Sequence, residues 1–269
     1  MQNKELYMQF FKSFGLKQQQ NVLVHSSFRN IRKAFPETKI ETMIEALKEL
    51  ITDKGSLIMP AFTYCFKKSK GDYQIFNYKN SKSKVGAVSE VFRNSENVIR
   101  TSSPTHSFSI WGRITRQISS NNSPTSPLGE NSVLDWLTNH NSYVLLLGVD
   151  FTALSYGHYL EVVAKVPWAD VSPWDYINVE KIGVSETGQQ KLRNIPGCSK
   201  SFKNFENYLL ENGFIEPFNY NNLSGYFISI QKLYDHGRQF FRKSIEKLLC
   251  PPGKCQACDM RRKKLNQQN

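Results

Sequence analysis

Val22-Leu-Val-His-Ser-Ser27 and Ser56-Leu-Ile-Met-Pro60 bracket the stretch that decides the fold. The first opens with a short buried-strand run, Val22 to Val24, and ends at His25. Between the two, Glu41 to Ile51 carries Met43, Ile44, Leu47, Leu50 and Ile51 at helical spacing. Gly55 is expected to end that helix. Ser56 to Pro60 then reads as a second strand that closes on proline. Strand, helix, strand in so short a span is a βαβ unit, which favours two parallel strands in a covered sheet. In open sheets of this kind, ligands bind beyond the carboxyl ends of the strands, where His25, Ser26 and Ser27 stand.

Outward from this unit, Leu6, Phe10, Phe11 and Phe14 predict an amphipathic first helix. Residues 65–84 are lysine-rich and aromatic and read as a surface loop. Val85 to Phe92 predicts a helix, 97–100 and 107–112 two strands, and 132–137 a short helix. Asn121-Asn-Ser-Pro-Thr-Ser-Pro127 is loop chemistry. Tyr143-Val-Leu-Leu-Leu-Gly-Val149 is a third strongly apolar strand. Beyond residue 166 the spacing predicts strands near 175–184 and 189–195 and helices near 202–211 and 235–249. The last 20 residues, from Cys250, read as a polar tail.

The chain of 269 residues is long enough to bury a substantial core. Hydrophobic residues make up 39% and aromatics 13%, a globular rather than a disordered balance. No apolar run approaches the roughly 20 residues of a membrane helix. Met1-Gln-Asn-Lys-Glu opens polar, without a signal core, so a cytoplasmic location is expected. The net charge of +12 fits either a phosphate-rich partner or a generally lysine-rich surface. Lys and Arg form no stripe interleaved with aromatics, which weakens a nucleic-acid reading.

Three histidines stand beside strand ends or hydroxyls. His158 and Glu161 share a face if their segment is helical. A carboxylate beside an imidazole fixes its tautomer and stabilises its cation, as a general base toward an amine requires. The alternative is a histidine and a glutamate on an ordinary helix. His106 lies between Thr105 and Ser107 in Ser103-Pro-Thr-His-Ser-Phe108, as a ligand contact or as a buried, self-satisfied residue. A nucleophilic route through Cys65 competes, although a small apolar filler describes that residue better. The chain lacks Gly-x-Ser-x-Gly, Gly-x-x-x-x-Gly-Lys-Ser/Thr and Gly-x-Gly-x-x-Gly patterns.

Seven segments in order complete the picture: Val24-His-Ser-Ser27, Leu57-Ile-Met-Pro-Ala-Phe-Thr63, Val85-Gly-Ala-Val-Ser-Glu-Val-Phe-Arg93, Arg100-Thr-Ser-Ser-Pro-Thr-His-Ser-Phe108, Ser126-Pro-Leu-Gly129, Val144-Leu-Leu-Leu-Gly-Val149 and His158-Tyr-Leu-Glu161. Together they resemble the aminoglycoside 3-N-acetyltransferase family of coenzyme A-dependent N-acyltransferases, well over residues 20–165 and loosely beyond. The resemblance implies an α/β fold, a mixed β-sheet flanked by helices, with a smaller C-terminal α+β part. It implies direct acyl transfer from acyl-coenzyme A to a sugar amine, with His158 as base and Glu161 holding His158 or the substrate ammonium. His106 is the further catalytic candidate. His25, Ser26, Ser27, Thr63, His106, Ser126 and Pro127 would line the coenzyme and thioester. Residues 1–165 would form the acyl-CoA-binding and catalytic core, 166–249 would complete the acceptor site, and 250–269 would be a Cys-containing basic tail.

Two departures from the family pattern stand out. Ser103 precedes Pro104 where members often carry histidine, and the acidic residue that many aminoglycoside-modifying members carry in the region of Pro196-Gly-Cys198 is not placed in this sequence. An antibiotic acceptor is a polycation and favours an acidic cleft, whereas this chain is basic. The expected acceptor is therefore a nucleotide-linked amino sugar of surface-polysaccharide synthesis. Trp168 and Trp174 are candidates to stack on its base or to sit in the core. The alternatives are an aminoglycoside antibiotic and, from another class, a non-catalytic nucleic-acid-binding role. Cys250-x4-Cys255-x2-Cys258 has metal-like spacing, and Cys198 is the candidate fourth thiolate for a structural zinc. The alternative is three incidental thiols on a loose tail.

Overall fold

The computed structural model describes residues 2–267; Met1 and the last two residues of the expected tail lie outside them. The βαβ unit is present as read. β1 (Asn21–Ser26) leads through the helices Phe28–Ala34 and Ile40–Ile51 into β2 (Ser56–Pro60), and the two strands are parallel. The helix over 40–51 ends at Thr52, which takes the positive φ of 62°. Gly55 does not cap it. A Cβ there would drive into the Gln20 carbonyl oxygen, so this glycine permits close approach of two backbones at the start of β2.

The remaining strands are β3 (Phe66–Lys68), β4 (Ile99–Arg100), β5 (Phe108–Gly112), β6 (Ser142–Leu147), β7 (Val179–Ser185), β8 (Gly188–Lys191), β9 (Phe218–Tyr220) and β10 (Leu223–Ser229). Seven of them make one mixed sheet in the order β4-β5-β2-β1-β6-β10-β9, parallel only where β1 meets β2 and β6. The small antiparallel sheet β3-β7-β8 lies apart from it. The lysine-rich 65–84 segment is thus part strand: Phe66 pairs with Gly183, and Phe76 is buried.

Strand alternation sorts the core into two layers. Val22, Val24, Leu57, Met59, Leu145 and Leu147 face one side with Met43, Ile44, Leu47 and Phe92. Leu23, Ile58, Val144 and Leu146 face the other with Tyr156, Leu160, Phe202, Phe205 and Phe241. Both faces of the central strands are covered, so these strands read as continuous apolar runs rather than alternating ones.

The nine helices of the described residues begin with α1 (Gln2–Ser13), α2 (Phe28–Ala34), α3 (Ile40–Ile51), α4 (Ala87–Arg93) and α5 (Val133–Thr138). They continue with α6 (Tyr156–Val163), α7 (Phe202–Glu211), α8 (Ile230–Lys243) and α9 (Gln256–Asn266). Three features escape the sequence reading. β9 and β10 join the main sheet, and β10 pairs antiparallel with β6 over Gly225 to Ser229. α8 begins at Ile230, five residues before its expected start, and stops before a single-turn helix at 245–248. The expected polar tail forms α9, which buries Ala257, Cys258 and Arg261 against the body.

Candidate active site

A cleft of about 520 Å³ opens at the carboxyl ends of β1, β2 and β6, where an open sheet presents its binding crevice. β1 delivers His25 and Ser26 to it, and β2 delivers Pro60 and, just beyond, Phe62. The loop before β5 brings His106 to the same edge, because Phe108 pairs with Pro60. After β6 the chain turns through Gly148, whose φ of 71° and tight contact with Asn30 require glycine. It then supplies Thr152, Ala153, Leu154, Ser155 and His158. The opposite wall comes from later in the chain, including Trp174, Ile177, Val179, Pro196 and Gly197.

The segment that carries His158 and Glu161 is helical, α6 over Tyr156–Val163, and it puts the two side chains together. His158 Nδ1 donates to Glu161 Oε2 at 2.7 Å. A neutral imidazole bonded this way carries its lone pair on Nε2, the nitrogen that can receive a proton. Phe202 packs edge-on against the imidazole at 4.9 Å. Gly157 allows that contact, since a Cβ would strike the Phe202 ring.

Glu161 is only 2% exposed, and its other oxygen is also used. Trp168 Nε1 donates to Oε1 at 3.0 Å, and Arg261 Nη1 does so at 3.3 Å. Burial alone would raise the Glu161 pKa. The Arg261 charge and the hydrogen bonds from His158 and Trp168 outweigh it and hold the carboxyl below its usual range. Trp168 is therefore fixed in the core as a donor to Glu161 and does not stack on a ligand. Trp174 does line the cleft, anchored through Nε1 to the Pro196 carbonyl at 3.0 Å.

Sequence reasoning missed Arg261, which lies 100 residues from Glu161. Its guanidinium also donates to the Ile195 carbonyl at 2.7 Å and the Val171 carbonyl at 3.2 Å. Gly197 leaves it room, because a Cβ at that position would collide with the guanidinium. A glycine in a loop and an arginine in a polar tail give no sign in the sequence that they meet.

The other histidine pair sits deeper. Burial pushes His25 down to about 3. His106 is likewise pushed to about 3, by burial and by the nearby His158. Both are neutral at physiological pH. His25 Nε2 shares a hydrogen bond with Ser155 Oγ at 3.2 Å, a residue not singled out in the sequence. His106 is ringed edge-on by Phe62, Tyr64 and Phe66.

Four of the residues expected to line the coenzyme are not among the cleft-lining set. Ser27 Oγ accepts from Asn30 N and caps α2. Thr63 is buried, with Oγ1 donating to the Pro104 carbonyl at 2.7 Å. Ser126 accepts from Asn194 Nδ2 at 2.8 Å, and Pro127 is buried beside it. These side chains shape the loops behind the cleft. The nucleophile alternative also fails on placement: Cys65 is buried, and burial raises its thiol pKa. Ser103 accepts from the His106 backbone N–H at 3.2 Å and so fixes the turn that carries His106.

The net charge is not a property of the cleft. Lys68 is its one Lys or Arg, and no Asp or Glu is among its lining residues as far as the described residues go. A phosphate-binding cluster is therefore missing from the described wall. No helix of the described residues is long and apolar enough to cross a membrane.

A mixed sheet with a His–Glu pair at a cleft beside its strand ends places a candidate general base at a binding crevice. The sequence model of the family described as aminoglycoside 3-N-acetyltransferase matches residues 23–242. The chain belongs to this family of coenzyme A-dependent N-acyltransferases. It is 28% identical over 187 residues to the SPbeta prophage-derived aminoglycoside N(3')-acetyltransferase-like protein YokD of Bacillus subtilis (strain 168), covering 62% of this chain and 67% of that protein. It is 34% identical over 149 residues to the aminoglycoside N(3)-acetyltransferase IV of Salmonella sp, covering 55% of this chain and 54% of that one. A crystal structure of aminoglycoside acetyltransferase AAC(3)-IVa superposes with a TM-score of 0.78 at 25% identity, over 97% of this chain and 96% of that chain. These relatives are named for aminoglycosides, so the expected nucleotide-linked acceptor finds no support in them. Membership of an enzyme family also replaces the non-catalytic nucleic-acid reading.

Proposed function

We propose that this protein transfers an acetyl group from acetyl-coenzyme A to an amine of an aminoglycoside-type amino sugar, with His158 as general base. The observation that carries this reading is the hydrogen-bonded chain Arg261–Glu161–His158, which ends at the cleft. An ammonium cannot attack a thioester; its neutral amine can. His158 Nε2 takes the proton as the amine nitrogen bonds to the carbonyl carbon. The carbon–sulfur bond then breaks, and the proton passes on to the leaving thiolate. Proton removal by His158 contributes about 10²–10⁴ in rate, and Glu161 keeps His158 in the right tautomer and balances the imidazolium formed in the step.

In this reading His25, Ser26, Ser155 and His106 form the wall nearest the reacting thioester. Residues from 166 onward complete the acceptor side, through Trp174, Ile177, Pro196 and Gly197. With no carboxylate among the described lining residues, acceptors carrying few amines should bind better than tetra-amines. The names of the relatives support an aminoglycoside acceptor. The test is thiol release from acetyl-coenzyme A with a panel of aminoglycosides of graded amine number, with product masses read by mass spectrometry. A mass gain of one acetyl on an amino sugar is expected. Failure of every aminoglycoside, with thiol released for another amine class, would overturn the acceptor assignment.

A further inference from the structure

Behind the cleft wall at 196–199, where Gly197 and Ser199 flank Cys198, the four cysteines that the sequence scatters come together. Cys198 precedes α7, Cys250 follows the turn at 245–248, and Cys255 and Cys258 open α9. Their sulfur atoms all lie within 4.8 Å of one another, and Cys198 Sγ is 3.7 Å from Cys250 Sγ. A tetrahedron with metal–sulfur bonds of about 2.3 Å has edges of about 3.8 Å. A disulfide needs about 2.05 Å, and all four thiols are free.

The surroundings suit thiolates. The Lys200 backbone N–H donates to Cys198 Sγ at 3.3 Å, and the Cys250 N–H donates to Cys258 Sγ at 3.4 Å. Hydrogen bonds of this kind orient ligands and spread their charge. Cys250 and Cys258 are buried in the larger apolar cluster, and Cys198 and Cys255 pack against it. The cluster sits at the N-terminal end of α9, and Arg261, Arg262, Lys263 and Lys264 follow on the same helix. Both features favour a site of net negative charge.

α9 needs something to hold it. It has 11 residues and buries only Ala257, Cys258 and Arg261. Helices this short are marginal without tertiary support, and its apolar face is small. Yet it must be seated accurately, because Arg261 reaches Glu161 from it.

We propose that Cys198, Cys250, Cys255 and Cys258 bind one zinc ion at a closed structural site, which fastens α9 to the body and so seats Arg261 against Glu161. Four sulfur ligands fill a tetrahedron and leave no position for water, so the ion is structural and takes no part in acyl transfer. The metal assignment stands apart from the acetyl-transfer reading, since it is read without turnover.

The test is the metal content of the full-length protein, purified under reducing conditions without chelator, by inductively coupled plasma mass spectrometry and native mass spectrometry. About one zinc per chain is expected. Exchange with Co(II) should give the thiolate charge-transfer and d–d absorption of a tetrahedral sulfur site. Cys258→Ser and Cys255→Ser should each lose most of the bound metal. If those variants do not fold, titrating the wild-type thiols with an organomercurial keeps the question open to a direct answer: zinc should leave as four thiols react, as read by a chromogenic chelator. Substoichiometric zinc with four free thiols and no cobalt spectrum would overturn the proposal. So would stoichiometric iron, or a mass deficit from a Cys198–Cys250 disulfide.

Discussion

Arg261→Met removes one charge from a buried chain of three residues and should be felt in both stability and pH dependence. Arg261 is 1% exposed and Glu161 2%, so solvent screens neither. Without the guanidinium, the Glu161 carboxylate keeps its bonds from His158 and Trp168 but has no fixed cation at 3.3 Å. Breaking a buried pair by removing one partner costs about 3–5 kcal/mol. The sign with pH follows from Glu161. In the wild type its pKa is lowered, so it adds stability above the unfolded carboxylate range and loses it as pH falls through the folded value. In the variant, burial dominates and the pKa rises. Stability is then lost as pH rises, and the gap between the two proteins is widest near neutrality and closes toward acid. Urea unfolding at a series of pH values reads that gap. The acid limb of kcat/KM for thiol release should also move to higher pH, because a protonated Glu161 no longer accepts from His158 Nδ1. A deficit below about 1 kcal/mol that is constant with pH, with an unmoved acid limb, would refute the coupling.

Other outcomes follow from the same geometry. Gly157→Ala sets a Cβ against the Phe202 ring and should cost about 1–3 kcal/mol while displacing the ring that packs on His158, so kcat falls with stability. His25 and His106, both held near 3 by burial, should show flat imidazole NMR shifts from pH 8 to 5, where a free histidine titrates. Their lowered pKa values make them a source of acid instability. The unfolded chain takes up protons that the folded one refuses, so stability is full above the unfolded value of about 6.5 and declines as pH falls toward 3.

The fold was legible where periodicity was strong. The run Val22 to Pro60 carries its own strand, helix and strand, and His158 with Glu161 declares a shared face three residues apart. β10 was harder, because Gly225 looks like a break in a strand. The structure needs it there, since a Cβ would drive into the Leu146 carbonyl oxygen of β6. α9 was illegible for a different reason. Its inward face is an alanine, a cysteine and an arginine, which no hydrophobic pattern marks. Of the residues singled out in the sequence, His25 and Ser26 at the end of β1, His106 in the loop before β5 and His158 on α6 line the cleft. Ser27 and Thr63 follow strand ends and Ser126 lies in the loop before α5, but their side chains turn to capping and loop contacts, and Pro127 is buried; rotamer and packing fix this rather than order along the chain. The positive charge misled in the same way: it is a sum over the surface, and one lysine of it reaches the cleft.

Acyl transfer by this chain depends, in the proposed function, on His158 as the group that takes the proton from the attacking amine. The direct measurement is steady-state thiol release by His158→Ala beside the wild type, with thermal unfolding to show that the variant is folded. kcat should fall by about 10²–10⁴, with the KM for acetyl-coenzyme A changed little. A folded variant that keeps more than about half of the wild-type kcat, where base catalysis would demand a loss of orders of magnitude, would contradict it.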